Sequence, residues 1–420
     1  MLKKYIQLML IVLIVLTLTA CGIDGGGDLK PSATIQSGLN IGNKDDYKHI
    51  FKDNDILEIS ITIDPAYLEE MYAYPDGYEY YSATVKVNDQ EIKNTGIRIM
   101  GNTDLDGGDE SAYRYSYRLK FDKFVKGQTI DGLDELVLSN VSRDPSYMRE
   151  FLLCEAFEKV ELVAPLATYA TVTINDNLVG FYVAIESVDD SFLKRNFGNN
   201  KGNLYKSNEQ ATLVDHNSLS LMEQKNGSDE TKEDLQLLID TLNSMPLGEK
   251  GDIENIMHVD SVLKYIAVNT VMGNYDSYIG ASATNYYLYN VNNKLYMVPW
   301  DFNLSFGAQK KDNGVSVATP VDSPVYRADI TERPLVYKIL SVEEYYNKYL
   351  EYVDICKNFL QDFENRVNEI DSIISDYIKN DPSSFYSYEN YLANIGKSEE
   401  NTAGIIAITE YASIRRDFLG

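Results

Sequence analysis

The sequence predicts an α+β fold with a β-rich first part and a mainly helical second part. Short segments of alternating apolar and polar residues recur between 56 and 206, a pattern typical of strands and hairpins. From 335 to 420 apolar residues recur instead at steps of three and four, which indicates helices. Another hairpin is predicted between these parts, because segments 285–291 and 294–300 alternate on either side of two asparagines.

The first residues have the features of a lipoprotein signal. Two lysines precede an apolar run at 8–16, and small residues lead from that run to Cys21. The run is too short for a membrane span. Its resemblance to bacterial lipoprotein signals implies that 1–21 is a signal peptide and that a lipid on Cys21 anchors an extracytoplasmic protein to the membrane. Residues 22–46 are rich in Gly, Ser and Asp, which predicts a flexible linker.

The chain is strongly acidic, with a formal net charge of −26. Nucleic acid is not an expected partner, because neutralising its phosphates requires basic residues. A basic protein substrate would be attracted instead. The acidity also has a simpler interpretation, namely that it keeps the protein soluble.

Cysteine and histidine usage disfavours several enzyme classes. Apart from Cys21, the chain contains only Cys154 and Cys356. Two cysteines are too few for a disulfide framework or a thiolate zinc site, although they could form a single disulfide. None of the three histidines occurs in an HExxH spacing. Serine-hydrolase and zinc-hydrolase mechanisms are therefore disfavoured.

Basic residues occur on two successive predicted strands of the first part. Arg98 lies on the polar face of the strand at 92–100, and Lys120 lies on the polar face of the strand at 113–121. If these strands pair, both side chains share a face beneath the glycine-containing loop at 101–111. That arrangement suits an anionic ligand such as a polyphosphate. The alternative is an ordinary solvated sheet face.

A helix with a carboxylate on its apolar face is predicted next. Asp144 is the expected cap and Pro145 the first helical residue, and the helix extends to about 160. Glu155 falls among apolar residues on the helical wheel, and a buried carboxylate requires a cationic partner. Lys120 on the neighbouring sheet is the best candidate; otherwise Glu155 faces solvent.

The later hairpin brings three polar residues together. Asp276 precedes it, Asn285 begins it and Asp301 follows it. Antiparallel pairing brings the ends of a hairpin together, and two carboxylates with an amide suit a hard cation, most commonly Mg²⁺ with phosphate. Asp and Asn also bond local backbone at turns, so a purely structural role stays open.

Several motifs occur together in one order along the chain. They are GIRIMGN, YSYRLKF, DPSYMREFLLCEAF, GFYVAIESVDDSFLKRNFG, GNLYK, TNYYLYN and PWDFN. This succession resembles the CotH family, the spore-coat-associated atypical protein kinases. The resemblance covers roughly 53–307, with a weaker helical continuation.

The resemblance implies a divergent, bilobal protein-kinase-like fold that uses ATP and Mg²⁺. The expected reaction is phosphorylation of serine or threonine on spore coat or cell-envelope proteins. Residues 47–206 would form the β-rich nucleotide-binding lobe, and 207–420 would form the metal-binding, catalytic and helical lobe. Together with the lipid anchor, this implies a location in the spore coat or forespore envelope.

Family motifs also imply roles for individual residues. Lys120 resembles the phosphate-contacting lysine, and Glu155 resembles the helical carboxylate that pairs with it. Asp276 resembles the catalytic aspartate that receives or orients the substrate hydroxyl. Asp301 resembles the metal-binding aspartate, with Asn285 as a second metal ligand. In ordinary kinases such groups supply positioning and charge neutralisation.

Two departures from the family pattern bear on activity. Asn303 stands where many relatives carry a second aspartate, which removes one charge from the metal site. The loop at 101–111 carries four acidic residues, an awkward composition for cradling phosphate. Two alternative functions stay open: a non-catalytic coat or envelope assembly protein on the same fold, and a metal-dependent hydrolase that uses Asp276 and Asp301.

Overall fold

The computed structural model describes residues 47–52, 55–100, 114–228, 230–309 and 315–420. The predicted signal peptide, the linker, Cys21 and the loop at 101–111 lie outside the described residues. Strands and helices are both abundant in the described part, so the predicted α+β class is confirmed.

The β-rich part closes into a barrel. Its described strands are β1 (Ile56–Ile63), β2 (Tyr81–Val87), β3 (Gln90–Ile99), β4 (Tyr117–Lys120), β5 (Glu135–Ser139), β6 (Ala167–Ile174) and β7 (Asn177–Glu186). They are ordered β1-β2-β3-β4-β5-β7-β6, and parallel pairing of β1 with β6 closes the ring. Local sequence patterns do not predict this closure, because the parallel pairing joins distant positions such as Ile56 and Tyr169.

Alternation along the strands separates an apolar barrel interior from a partly polar outer face. The interior side chains, each at most 1% exposed, include Ile59, Ile61, Val85, Ile97 and Leu119. Where β3 pairs with β4, Arg98 lies opposite Arg118 and Gly96 lies opposite Lys120. Side chains two residues apart on a strand share a face, so Arg98 and Lys120 share the outer face, as predicted.

Two helices that flank the barrel strands are bounded by residues suited to helix ends. The first, α1 (Pro65–Ala73), begins after Asp64, whose carboxylate accepts a hydrogen bond from the Ala66 N–H at 2.8 Å. The short helix at 190–197 ends at Gly198, which has a φ of 77°.

The intervening helix begins later than predicted. It is α2 (Arg149–Lys159), and the short helix after it is α3 (Asp190–Phe197). Tyr147 has a φ of 59°, which is incompatible with a right-handed helix. Asp144 is therefore part of a turn that precedes the helix, not the residue directly before it. Its carboxylate accepts hydrogen bonds from the N–H groups of Ser146 and Arg149 at 2.9 and 2.8 Å.

A second sheet contains the predicted hairpin. Its described strands are β8 (Leu204–Ser207), β9 (Met222–Asn226), β10 (Tyr286–Val291) and β11 (Lys294–Pro299), in the order β11-β10-β8-β9. The turn between β10 and β11 is made by Asn292 and Asn293, both with positive φ, as a two-residue hairpin requires. The hairpin prediction is confirmed, and β8, which comes far earlier in the chain, pairs with it.

Helices dominate the second part, as predicted. In the described residues they are α4 (Glu233–Ser244), α5 (Ile253–Ile256), α6 (Val259–Val271), α7 (Pro334–Tyr337), α8 (Glu343–Gln361), α9 (Phe363–Lys379), α10 (Tyr388–Asn394) and α11 (Ile408–Leu419). Tyr345, Tyr349 and Tyr352 of α8 are buried and contribute to packing. Across the described ranges, every helix is too short or too polar to cross a membrane.

Candidate functional site

Asp276 lies in the connection between α6 and β10, half-buried and held by neighbouring side chains. The Ser282 hydroxyl donates to Asp276 Oδ1 at 3.1 Å. The Asn285 amide donates to Asp276 Oδ2 at 3.1 Å and to the Asp276 carbonyl at 2.9 Å. Burial raises the pKa of Asp276. A carboxylate fixed in this way and partly desolvated is suited to accept a proton from a bound hydroxyl group.

Asp301 is the second residue after β11, and its neighbour Trp300 lies close to the start of the hairpin. The Trp300 N–H donates to the Asn285 carbonyl at 3.2 Å, which ties the end of β11 to the start of β10. Asp301 adopts a left-handed backbone conformation with a φ of 57°, which Asp tolerates better than most residues. The structure thus brings Asp276 and Asn285 into contact, and Asp301 is the residue after Trp300, which bonds Asn285.

Asp301 opens onto a cleft of about 200 Å³ against the outer face of the barrel. The lining residues from the barrel and its loops include Met100, Ser116, Val137, Ser139 and Ile185. Residues Glu150 and Cys154 of α2 line another wall, and Asp301 and Asn303 line the wall beyond β11. This cleft is the place where the predicted metal-binding hairpin faces the barrel.

Glu150 is a cleft residue that the sequence analysis missed. Its side chain is only 6% exposed, and the Ser139 hydroxyl and the Phe302 N–H lie beside its carboxylate and act to lower its pKa. Its second oxygen, Oε2, has no hydrogen-bond partner among the described residues. Burial, followed by the negative charge of Asp301, raises the pKa of Glu150 to about 8. The one feature of the sequence that could have indicated Glu150 is its position in the same amphipathic helix as Glu155.

Glu155 and Lys120 do not form the predicted pair. Glu155 is bound instead by Arg366 of α9, whose Nε lies 3.0 and 3.1 Å from the two carboxylate oxygens and whose Nη2 bonds Oε1 as well. Glu155 follows Glu150 by five residues, which rotates it by about 140° around the helix. The prediction of a cationic partner was correct, but its identity was wrong, because the helix turns Glu155 toward α9.

Lys120 is bound by carboxylates of the barrel. Its Nζ lies 3.2 Å from Glu135 Oε2 and 3.4 Å from Asp122 Oδ1, and Arg118 also pairs with Glu135. Burial alone would lower the pKa of Lys120, but the Glu135 and Asp189 carboxylates outweigh it and raise that pKa. Lys120 is therefore a firmly charged group on the outer barrel face.

Arg98 lies on the same face and is held mainly by aromatic rings. Its guanidinium lies 5.6 Å from the ring centre of Tyr78 and 5.4 Å from that of Tyr80. Its Nη1 donates to the Ile99 carbonyl at 3.0 Å. Arg98 thus supplies positive charge beside β4, next to Arg118 in the strand register.

The donor set in the cleft fits a small divalent cation better than a soft metal. Within the ranges that the structure describes, His, Cys, Asp and Glu side chains nowhere gather in a group of three or more that could hold a metal ion. A site at Asp301 would therefore use few protein carboxylates and take its other oxygens from amides, phosphate or water, which is the usual way of binding Mg²⁺. Asn285 uses its amide nitrogen on Asp276, which leaves its amide oxygen for such a role.

We expect Arg366→Met to lower stability without changing nucleotide affinity. The substitution breaks the Glu155 pair, whose side chains are 17% and 20% exposed, and the expected loss is about 1–2 kcal/mol because the pair is partly screened. Urea unfolding measures the loss, with Lys379→Met on an exposed part of α9 as the control. A tenfold loss of ATP affinity in Arg366→Met would instead place Glu155 at the nucleotide site.

The fold and the cleft define an α+β protein in which the segment after a hairpin, with Asp301, faces the outside of a barrel. Asp276, Asn285, Lys120 and Arg98 lie outside the lining of this cleft. The chain belongs to the CotH family, because residues 97–419 match the family described as CotH kinase protein. This range includes every candidate site residue named above except Cys21.

A curated relative is similar over a shorter span. The inner spore coat protein H of Bacillus subtilis (strain 168) is 28% identical to this chain over 214 residues. That alignment covers 47% of this chain and 58% of the relative. The similarity therefore spans little more than half the length of that protein.

Proposed function

We propose that the protein is an atypical protein kinase that transfers the γ-phosphate of ATP to serine or threonine of a spore coat or cell-envelope protein. The supporting observation is the contact of Asp276 with Asn285 at 3.1 Å, with Asp301 at the end of the same hairpin, opening onto the cleft. In this proposal the barrel and the helical part act as the two lobes of a divergent kinase-like fold.

Asp276 is the proposed catalytic residue. Its carboxylate would orient the serine or threonine hydroxyl and take its proton as the hydroxyl oxygen bonds to the γ-phosphorus. The bond from that phosphorus to the bridging oxygen breaks in the same transfer, and ADP leaves. Asn285 and Ser282 hold the Asp276 carboxylate in place through their hydrogen bonds, so little reorganisation is needed during the reaction.

Asp301 and Asn285 are the proposed ligands of Mg²⁺, which would neutralise phosphate charge when bound. Lys120 and Arg98 of the outer barrel face are the proposed phosphate-contacting cations. Lys120 shares Glu135 with Arg118 and also lies 3.4 Å from Asp122 Oδ1. A bound polyphosphate would therefore replace these carboxylates as the partner of Lys120.

We expect Lys120→Ala to weaken ATP binding about tenfold or more, since the loss of one charge-assisted contact costs about 1.5–3 kcal/mol. Titration of ATP with Mg²⁺, followed by thermal shift, measures the change. Lys126→Ala, which alters an exposed lysine in the segment between β4 and β5, is the matched control. Equal affinities for Lys120→Ala and wild type would remove Lys120 from the proposed site.

Incubation of the full-length protein with γ-labelled ATP, Mg²⁺ and basic candidate coat or envelope proteins tests the proposal. Label on serine or threonine supports the kinase. Label released to water with no labelled protein indicates the hydrolase alternative. Absence of thermal stabilisation at millimolar Mg²⁺-ATP would indicate a binding or assembly protein that keeps the fold without the activity.

We also propose that the protein acts on the extracytoplasmic side, attached through a lipid on Cys21 and associated with the spore coat. The similarity to the inner spore coat protein H of Bacillus subtilis supports the coat assignment. Mass spectrometry of the mature N-terminus tests the anchor, and Cys21→Ser is expected to release the protein from the membrane fraction.

A further inference from the structure

We propose that Glu150 is a second carboxylate ligand of the cation at Asp301 and supplies the negative charge that Asn303 does not. This inference rests on the proposed function, because it concerns the same cation site. It assigns Glu150 a role that the sequence motifs did not indicate.

The first observation is the state of the Glu150 carboxylate. The side chain is 6% exposed, yet its Oε2 has no hydrogen-bond partner among the described residues. Buried carboxylate oxygens are normally paired, because an unpaired one loses its hydration without compensation. An unpaired, buried oxygen that lines a cleft is therefore suited to receive a ligand from that cleft.

The second observation is what faces Glu150. Asp301 exerts the largest charge effect on it, and the effect is repulsive. Both carboxylates line the same cleft, together with Asn303. Two carboxylates in one poorly hydrated space are stabilised by a shared cation, and Mg²⁺ commonly uses one or two carboxylates besides phosphate and water.

The third observation is the closeness of the two segments. The Ser139 hydroxyl and the Phe302 N–H lie beside the Glu150 carboxylate and act to lower its pKa, and Phe302 follows Asp301 in the chain. The segment that carries Asp301 therefore lies against Glu150. A shared metal ion requires its ligands to lie side by side.

Lys206 is a basic group near this site that could compete with a cation. It interacts favourably with Asp301, although burial and the neighbouring Arg118 and Lys225 lower its pKa. Glu150 Oε2 keeps no hydrogen-bond partner among the described residues, so a divalent cation could displace the proton that the raised pKa favours and bind this oxygen.

Binding of Mn²⁺ to the full-length protein, measured by electron paramagnetic resonance with β,γ-imido-ATP present, tests this inference. Glu150→Gln is expected to weaken Mn²⁺ binding roughly tenfold or more. Glu158→Gln, which alters an exposed carboxylate on the same helix, is expected to bind like wild type. Asp301→Asn serves as the reference for loss of the site.

Thermal unfolding in EDTA separates a ligand from a purely structural residue. Glu150→Gln resembles the protonated carboxyl group that the raised pKa favours in the absence of a cation, so its melting temperature in EDTA is expected to equal or exceed that of wild type. With Mn²⁺ and nucleotide the order is expected to reverse, because only wild type gains the full stabilisation by the ion. If Glu150→Gln does not fold, Glu150→Asp keeps the charge with a shorter reach and is expected to show the same weakened Mn²⁺ binding.

The outcomes distinguish this inference from the proposed function. Normal Mn²⁺ binding by Glu150→Gln with weak binding by Asp301→Asn overturns the role of Glu150 and leaves the kinase proposal intact. No Mn²⁺ binding by wild type with nucleotide overturns both. A lower melting temperature of Glu150→Gln in EDTA, with unchanged Mn²⁺ affinity, shows that Glu150 is structural and also overturns the inference.

Discussion

Replacement of Asp301 by asparagine is expected to reduce phosphotransfer by at least about 10²-fold while leaving the fold intact. The asparagine keeps the shape of the side chain but removes the charge that would hold the cation and offset phosphate charge in the transition state. Transfer of label from ATP to protein measures the rate, and circular dichroism with thermal unfolding checks the fold.

Asparagine is a better test than alanine at this position. Asp301 has a φ of 57°, and an alanine in the left-handed region costs about 1–2 kcal/mol, whereas asparagine adopts this conformation readily. A loss of activity in Asp301→Ala alone would therefore mix lost charge with backbone strain. Asp322→Asn, at an exposed position, is the control. Turnover by Asp301→Asn at the wild-type rate would contradict the metal assignment.

Local patterns predicted the later hairpin and much of its site. The alternation of β10 and β11 around two asparagines was sufficient, because a two-residue turn with positive φ fixes the register of both strands. The same register brings Asn285 to the end of β11. The approach of Asp276 to Asn285 then follows from a connection of only a few residues.

Contacts between distant segments were not predictable in the same way. Glu155 was correctly expected to need a cation, but its partner Arg366 lies 211 residues further along the chain. Nothing in the local pattern distinguishes that arginine from Lys120. The orientation of α2 decides which basic residue pairs with Glu155. The left-handed backbone of Tyr147 sets the start of this helix at Arg149.

The start of α2 also bears on Glu150, which was overlooked. The predicted helix began at Pro145, whereas α2 begins at Arg149, so Glu150 lies in its first turn. In the folded chain the first turn of α2 packs beside Phe302, directly after Asp301. Sequence patterns identified the helix and the hairpin, but only their packing shows which of the two glutamates faces the cleft.

Asp381→Ala is expected to destabilise the protein by about 3–5 kcal/mol, because it leaves a buried arginine without its counter-ion. The side chains of Arg114 and Asp381 are both 0% exposed, and their charged atoms lie 2.5 Å apart. Asp381 Oδ2 also accepts from the Phe181 N–H of β7 at 3.1 Å. The segment after α9 is thereby tied to the barrel, and urea unfolding is expected to show the loss. Asp354→Ala, at an exposed position on α8, is the control, and a loss below about 1 kcal/mol in Asp381→Ala would show that the pair contributes no more than a surface ion pair.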